Sequence, residues 1–332
     1  MIISRTPFRI SLFGGGTDYP AWYSEYGGAV IGTTINKYCY ISIRSLPPFF
    51  GHRHRIVYSR IELPATTDEI EHPAVRAVLK EHKVHEGVEI QHHGDLPARS
   101  GMGSSSSFTV GLLNAVRAFQ GRISSPLWLA REAIRIEHDV IQEQVGAQDQ
   151  IWAAYGGTNL ITFYPDGTFH IRPIIISPER RRELESHMLL FFTGFSRIAE
   201  TIAAQEIPNL KRNSTQLESM IQMVHEAAGI LQDSSRPIRE IGVMLGEAWR
   251  IKKQLADCVS NGAIDQIYDA AMNAGAVGGK LLGAGGGGFM LVLAEPSCHE
   301  RIRHALKDLI EVSFSMGSAG STIVIYEPDG LE

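Results

Sequence analysis

The residues of this chain best suited to chemistry lie in three glycine-rich stretches and one acidic segment. The first stretch, Pro7-Phe-Arg-Ile-Ser-Leu-Phe-Gly-Gly-Gly-Thr-Asp-Tyr19, is an apolar run ending in three glycines and a carboxylate. Glycine lets backbone approach a ligand closely, so Gly15, Gly16 and Thr17 could offer amides and Asp18 could accept from hydroxyls. A tight hairpin with a solvated Asp18 fits this piece equally well. The second stretch, Gly101-Met-Gly-Ser-Ser-Ser-Ser107, runs straight into the helical spacing of Phe108, Leu112, Ala115, Val116 and Phe119. Free amides at a helix start, backed by the helix dipole, attract anions. Serine hydroxyls there can cap the helix or bind a hard cation carried by phosphate. Capping alone needs fewer than two glycines and four serines, so a phosphate-binding loop is the stronger reading.

The third stretch, Lys280-Leu-Leu-Gly-Ala-Gly-Gly-Gly-Gly-Phe289, meets the dinucleotide spacing at Gly283, Gly285 and Gly288. That fingerprint requires a strand before it and a helix after it. Here a helical stretch is expected before and a strand, Phe289–Ala294, after. A Walker-type loop fails as well, since Leu281 stands where Ser or Thr would bind the metal. What remains is a glycine loop packed beside another phosphate loop.

Phosphoryl transfer needs cradled phosphates, a Mg²⁺ ligand and a group that orients or deprotonates the acceptor. Carboxylates for these tasks occur in Glu137-His-Asp-Val-Ile-Gln-Glu-Gln-Val-Gly-Ala-Gln-Asp149. On one unbroken helix Glu137 and Asp149 would lie about 18 Å apart, but Gly146 offers a break. Glu137 alone could be a solvated helix face; Asp149, set among small and apolar residues, is harder to dismiss. Arg9, flanked by Phe8, Ile10 and Leu12, needs a partner such as Asp149 or a phosphate if it is buried, or else reaches solvent from an edge strand. The 13 histidines lack spacing that defines a zinc site.

The elements that must position these groups read as α+β. Tyr38–Arg44 alternates as a strand, 72–85 carries a helical stripe, and Val88–Gln91 returns to strand character. A helix is expected over Pro126–Gln142, and Pro165-Asp166-Gly167 turns a hairpin between Thr158–Phe163 and Thr168–Ile174. Beyond it, Met188–Phe192 reads as a buried strand, and Ser214–Gln232 and Pro237–Val259 as helices. Thr322–Tyr326 is a last strand, after a helix near 296–312. Two domains are expected, 1–180 and 181–332, divided between residues 170 and 187.

A formal charge of −5 gives no basic footprint for nucleic acid. No apolar run approaches the ~20 residues needed to span a bilayer. Arg5, Pro7 and Arg9 interrupt any signal-peptide core, and three scattered cysteines make no disulfide framework. A cytoplasmic protein is expected; a homo-oligomer is left open.

Taken together, Pro7–Tyr19, Pro97–Ser106 and Lys280–Gly288 resemble the three motifs of the GHMP kinase superfamily, in order and spanning nearly the whole chain. Within it, Gly14-Gly-Gly-Thr-Asp-Tyr-Pro20, Leu96–Ser107, Gly146-Ala-Gln-Asp-Gln150 and Thr193-Gly-Phe-Ser-Arg197 are most similar to bacterial D-glycero-D-manno-heptose 7-phosphate kinases. The resemblance implies two α+β domains with the active site in the cleft between them, and ATP and Mg²⁺ as cofactors. It implies ATP contacts from Arg99, Ser100, Gly101, Met102, Gly103, Ser104, Ser105, Ser106, Gly285 and Gly286. It implies Mg²⁺ held by Glu137 with Ser104 or Ser105, Asp149 as catalytic acid–base with Arg9 beside it, and a substrate held by Gly15, Gly16, Thr17, Asp18 and Arg197. The implied substrate is a sugar phosphate, phosphorylated at its anomeric hydroxyl for surface polysaccharide synthesis. Galactokinases carry Gly-Glu-His where this chain has Gly14-Gly15-Gly16, which leaves room for a bulkier sugar. Other sugar 1-kinases (fucose, mannose or galactose type), a silent ATP and sugar sensor, and an oxidoreductase are the alternatives.

Overall fold

A computed structural model describes residues 1–194 and 199–328 of the chain. Its first sheet is built around a long strand pair, β1 (Ile2–Phe13) and β2 (Gly28–Ser45). Along β2, residues 39–45 pair with β5 (Val88–Gly94) and residues 28–33 with β6 (Thr158–Phe163). Short strands β3 (Arg55–Val57) and β4 (Ile61–Glu62) extend the β5 side, and β7 (Phe169–Pro173) pairs with β6 through the expected hairpin. The second sheet places β8 (Met188–Phe192) and β10 (Phe289–Leu293) at its centre, flanked by β9 (Gly278–Leu281) and β11 (Ile310–Glu311). The final strand, β12 (Thr322–Tyr326), returns to pair with β1 and so belongs to the first sheet.

Eleven α-helices accompany the sheets among the described residues. Those of the first half are α1 (Pro20–Tyr26), α2 (Pro73–Glu81), α3 (Ser104–Phe119), α4 (Pro126–Arg135) and α5 (Gln148–Tyr155). They are followed by α6 (Pro178–Ser186), α7 (Ala199–Glu206), α8 (Ser214–Gln232), α9 (Arg239–Lys252), α10 (Gly262–Asn273) and α11 (His299–Ala305). From Thr6 onward β1 is buried on both faces, because α3 and α5 cover one part of it and α8 and α9 press on it from the second half. A strand so enclosed loses the hydrophobic–polar alternation of a half-buried strand, and any charge on it must find a partner.

Several expectations change. The helix expected from Pro126 to Gln142 ends as α4 at Arg135 and continues as one π-helical turn, Ile136–Val140, that carries Glu137. The helix expected to Val259 stops at Lys252, with a separate 3₁₀ turn at Asp257–Val259. The helix near 296–312 is confined to His299–Ala305. The stretch before the third glycine cluster is the strand β9, not a helix; it pairs antiparallel with β10, so the cluster joins two strands of one sheet. No helix follows the glycines directly, so the dinucleotide fingerprint still lacks its context.

Candidate active site

The partner that a buried Arg9 requires is Asp149. Arg9 is 5% exposed, and its Nε and Nη2 each donate to one Asp149 carboxylate oxygen at 2.7 Å. This is the two-pronged geometry that suits a guanidinium to a carboxylate. Its remaining arm, Nη1, donates to the Gly101 carbonyl at 2.6 Å, and its backbone amide to the Met102 carbonyl at 3.1 Å. One side chain therefore ties the end of β1, the start of α5 and the serine-rich loop together. Asp149 keeps 22% of its side chain exposed, so the clamp leaves it open to a substrate.

The loop itself enters α3 at Ser104, with Gly103 left-handed at the cap and no side chain capping it. Its first amides thus stay free for an anion. A methyl on Gly103 would stand 3.4 Å from the Asp149 carboxyl carbon, so the helix start and the acid adjoin. Ser105 is exposed at that end. Ser104 Oγ accepts from the Arg99 amide at 3.1 Å, and Arg99 itself is exposed with φ +59°. Ser100 is buried and donates to the Pro97 carbonyl, and Met102 is fully buried beneath the loop.

The third glycine cluster packs directly on the second. A methyl on Gly101 would overlap the Leu282 carbonyl, and one on Gly283 would overlap Gly101. Gly285 and Gly286 lean instead on the 3₁₀ turn at Val259, with the Gly286 amide donating to the Val259 carbonyl at 2.9 Å.

Beneath α3, Glu137 is fully buried. Its Oε2 accepts from Ser106 Oγ at 2.9 Å and from Gln150 Nε2, while its Oε1 has no partner. Burial, reinforced by the charge of Glu143, pushes its carboxyl up to about 8. A buried carboxylate oxygen left unmatched, beside a serine hydroxyl, is the donor chemistry of a hard cation such as Mg²⁺. The serine that reaches Glu137 is Ser106, not Ser104 or Ser105.

In the first cluster, Asp18 is 2% exposed and accepts from the Gly16 amide at 3.0 Å and the Gln148 amide at 3.4 Å. Burial and the neighbouring Asp149 charge raise its pKa. Thr17 turns inward, its hydroxyl bonded to the Gly14 and Ala29 carbonyls, which makes it a brace for the turn. Gly15 and Gly16 are half-buried, and Gly16 faces Leu217 of α8. Arg197 lies outside the described residues.

Buried charges from the second half complete the site, and periodicity gave no hint of most of them. Lys280 Nζ donates to the Ser11 and Leu12 carbonyls at 3.0 Å each; burial pushes its ammonium well below the lysine range, with the Lys252 and Arg9 charges adding to that. Lys252, at the end of α9, donates to the Gly283 carbonyl, and burial lowers it too, against the opposing pull of Glu206. Glu206 accepts from Tyr19 at 3.3 Å, and burial raises its carboxyl. Lys280 lies within β9, in register with Leu291 on β10. A lysine set between glycines and leucines, with no polar neighbour, was the available signal.

Two family models match the chain: the GHMP kinases N terminal domain over residues 70–157 and the GHMP kinases C terminal domain over residues 215–312. The chain is 29% identical over 335 residues to a D-glycero-alpha-D-manno-heptose 7-phosphate kinase of Campylobacter jejuni, covering 92% of this chain and 93% of that one. A crystal structure of a putative sugar kinase from Campylobacter jejuni superposes with a TM-score of 0.69 at 26% identity, over 97% of each chain. That of a D-glycero-D-manno-heptose 1-phosphate kinase from Bacteroides thetaiotaomicron superposes with a TM-score of 0.72 at 24% identity, over 98% of this chain and 100% of that one, a likeness of fold.

Proposed function

This chain belongs to the GHMP kinase family, ATP-dependent phosphotransferases with an alcohol group as acceptor, and we propose that its acceptor is the anomeric hydroxyl of D-glycero-D-manno-heptose 7-phosphate. The observation that carries the reading is the Arg9–Asp149 clamp set against the free amides of Gly103 and the first turn of α3. Those amides hold the phosphates, and Asp149 accepts the proton of the attacking hydroxyl or aims it at the γ-phosphorus. Arg9 keeps the carboxylate pointed and adds positive charge where negative charge spreads during transfer.

Ser106 and Glu137 are the residues that would hold Mg²⁺, whose role when bound is to shield the phosphate oxygens. Asp18, beside the acid, is proposed to accept from a sugar hydroxyl. The bare turn at Gly15 and Gly16 supports a substrate larger than a hexose, as does the likeness to the Campylobacter jejuni heptose kinase. Arg99 and Arg197 are proposed for the distal phosphate. The 1,7-bisphosphate so formed would feed synthesis of heptose-containing surface polysaccharide, with the enzyme working in the cytoplasm and the site in the cleft between the two halves of the chain.

The test is mass-resolved product analysis after incubation with MgATP and heptose 7-phosphate, in parallel with mannose, L-fucose and galactose. A bisphosphate product with the heptose, at far higher kcat/KM than any hexose phosphate product, is expected. Turnover confined to an unphosphorylated sugar would move the substrate to that sugar. ADP release with none of them would leave an ATP and sugar sensor.

A further inference from the structure

Gln148 sits one residue before Asp149 at the start of α5, and its side chain lies across to β1. There its Oε1 accepts from Ser11 Oγ at 2.8 Å, while its backbone amide donates to Asp18 at 3.4 Å. The residue is 9% exposed. No acceptor among the described residues takes its Nε2, which is not one of the fully buried unpaired atoms and so stays open to a ligand. With Oε1 paired to Ser11, the NH₂ is the end that borders Gly15, an assignment that rests on the hydrogen-bond network.

What the NH₂ borders is the space above Gly15. A methyl placed on Gly15 would stand 3.7 Å from Gln148 Nε2 and 3.9 Å from Ser11 Oγ, in ordinary contact with both. Gly15 does not have the left-handed φ of its neighbours Gly14 and Gly16. The backbone therefore does not require glycine here, and the missing side chain leaves a space that a methyl would fill in contact with Gln148 and Ser11. The turn supplies no polar side chain to that room. The hydrogen-bond donor beside it comes from Gln148, whose other amide end is tied to Ser11.

We propose that Gln148 is a specificity-determining residue: its Nε2 donates to a sugar hydroxyl, other than the one phosphorylated, that lies over Gly15, and Ser11 tethers the side chain beside that position. The proposal rests on the sugar-kinase reading above. A site built to hydrogen-bond a hydroxyl rejects an analogue lacking it far more strongly than an apolar pocket rejects a small change of shape. The Ser11–Gln148 pair thus decides which sugar oxygen must be present.

The experiment compares wild type, Gln148→Met and Ser11→Ala on the best sugar substrate and on a series of its singly deoxygenated analogues. MgATP binding and thermal melting are followed on the same proteins. Gln148→Met is expected to lower kcat/KM for the sugar about tenfold, the scale of one lost hydrogen bond with its partner stranded, with the KM for ATP unchanged. For one deoxy position, wild type should lose activity while Gln148→Met loses nothing further. Ser11→Ala should show the same masking in weaker form. Gly15→Ala, which narrows the room, should raise the sugar KM alone. If every deoxygenation affects wild type and Gln148→Met equally, or if the loss appears in the ATP KM, the proposal is overturned while the kinase reading stands. Should Gln148→Met fail to fold, Ser11→Ala and Gly15→Ala decide by the same criterion. If wild type phosphorylates no sugar at all, both readings fall together.

Discussion

Gly146 presses against the side chain of Asp18, so closely that a methyl on its α-carbon would overlap the Asp18 carboxylate. The residues are far apart in sequence, and the contact sets the distance between the turn after β1 and the start of α5. The Ala147 amide, donating to the Asp18 carbonyl at 3.0 Å, fixes the same distance. Gly146→Ala must therefore displace Asp18 or the first turn of α5, and with it Asp149. Overpacking of this kind costs about 1–3 kcal/mol, and a shift of about 1 Å at the reacting groups costs on the order of 100-fold in turnover. Asp18→Ala combined with Gly146→Ala should recover the stability but not the activity. Urea unfolding of the single and double variants measures the first effect and steady-state kinetics the second; additive losses of stability would refute the contact.

Asp149→Asn keeps the shape of the clamp but presents an amide NH₂ to one arm of Arg9. Turnover should drop by about 10²–10⁴-fold, the usual range for loss of a positioned acid–base group. Affinity for MgATP, measured by calorimetry with a non-hydrolysable analogue, should change little, since the loop amides are untouched. Arg9→Lys should also be severe: one ammonium cannot replace a fork that grips both carboxylate oxygens and the Gly101 carbonyl. Retained turnover in Asp149→Asn would remove the acid from the mechanism.

The serine run poses a sharper question than its sequence suggested. Ser106 is buried against Glu137, whereas Ser105 is exposed at the first turn of α3. If Ser106 and Glu137 hold the metal, Ser106→Ala should raise the Mg²⁺ concentration for half-maximal rate by about tenfold, the scale of one weakened ligand contact. Ser105→Ala should then change it less. The reverse order, read from Mg²⁺ titrations at fixed ATP, would return the ligand to Ser105.

Local patterns in the sequence revealed much of this architecture. Ser214–Gln232 and Met188–Phe192 match their elements because their apolar spacing is simple and strong. The pairing of Arg9 with Asp149 could be anticipated because a cation between apolar strand residues has few ways to be buried. Hidden were the features created by tertiary contact. Nothing local in Thr322–Tyr326 says that it returns to β1 rather than joining the second sheet. Gly278–Leu281 is too short and glycine-rich to read as a strand, and exists as one because β10 lies beside it. The buried charges of Lys252 and Glu206 were invisible for the same reason: each looks like a solvated helix residue until the other half of the chain covers it.

The Glu137 carboxyl makes stability depend on pH in a direction opposite to that of a salt-bridged acid. Burial first, and the Glu143 charge second, raise its folded pKa from the ordinary 4.5 to about 8. Between those values the folded protein holds a proton that the unfolded chain has lost, so stability falls as pH rises through this window, and the loss is complete above about 8. The contribution of this one group approaches about 1.4 kcal/mol per pH unit at its steepest. Urea unfolding of metal-free protein at pH 5 and pH 8.5 should show the decline, and Glu137→Gln should remove that part of it. Near pH 5 the variant should match wild type, and at pH 8.5 it should be the more stable of the two. Added Mg²⁺ should then stabilise wild type at pH 8.5 and leave Glu137→Gln nearly unchanged, because a cation bound only by the folded state offsets the cost of the buried charge. Parallel pH profiles for the two proteins would mean that Glu137 is not the group that titrates, and an equal Mg²⁺ response would mean that it does not hold the metal.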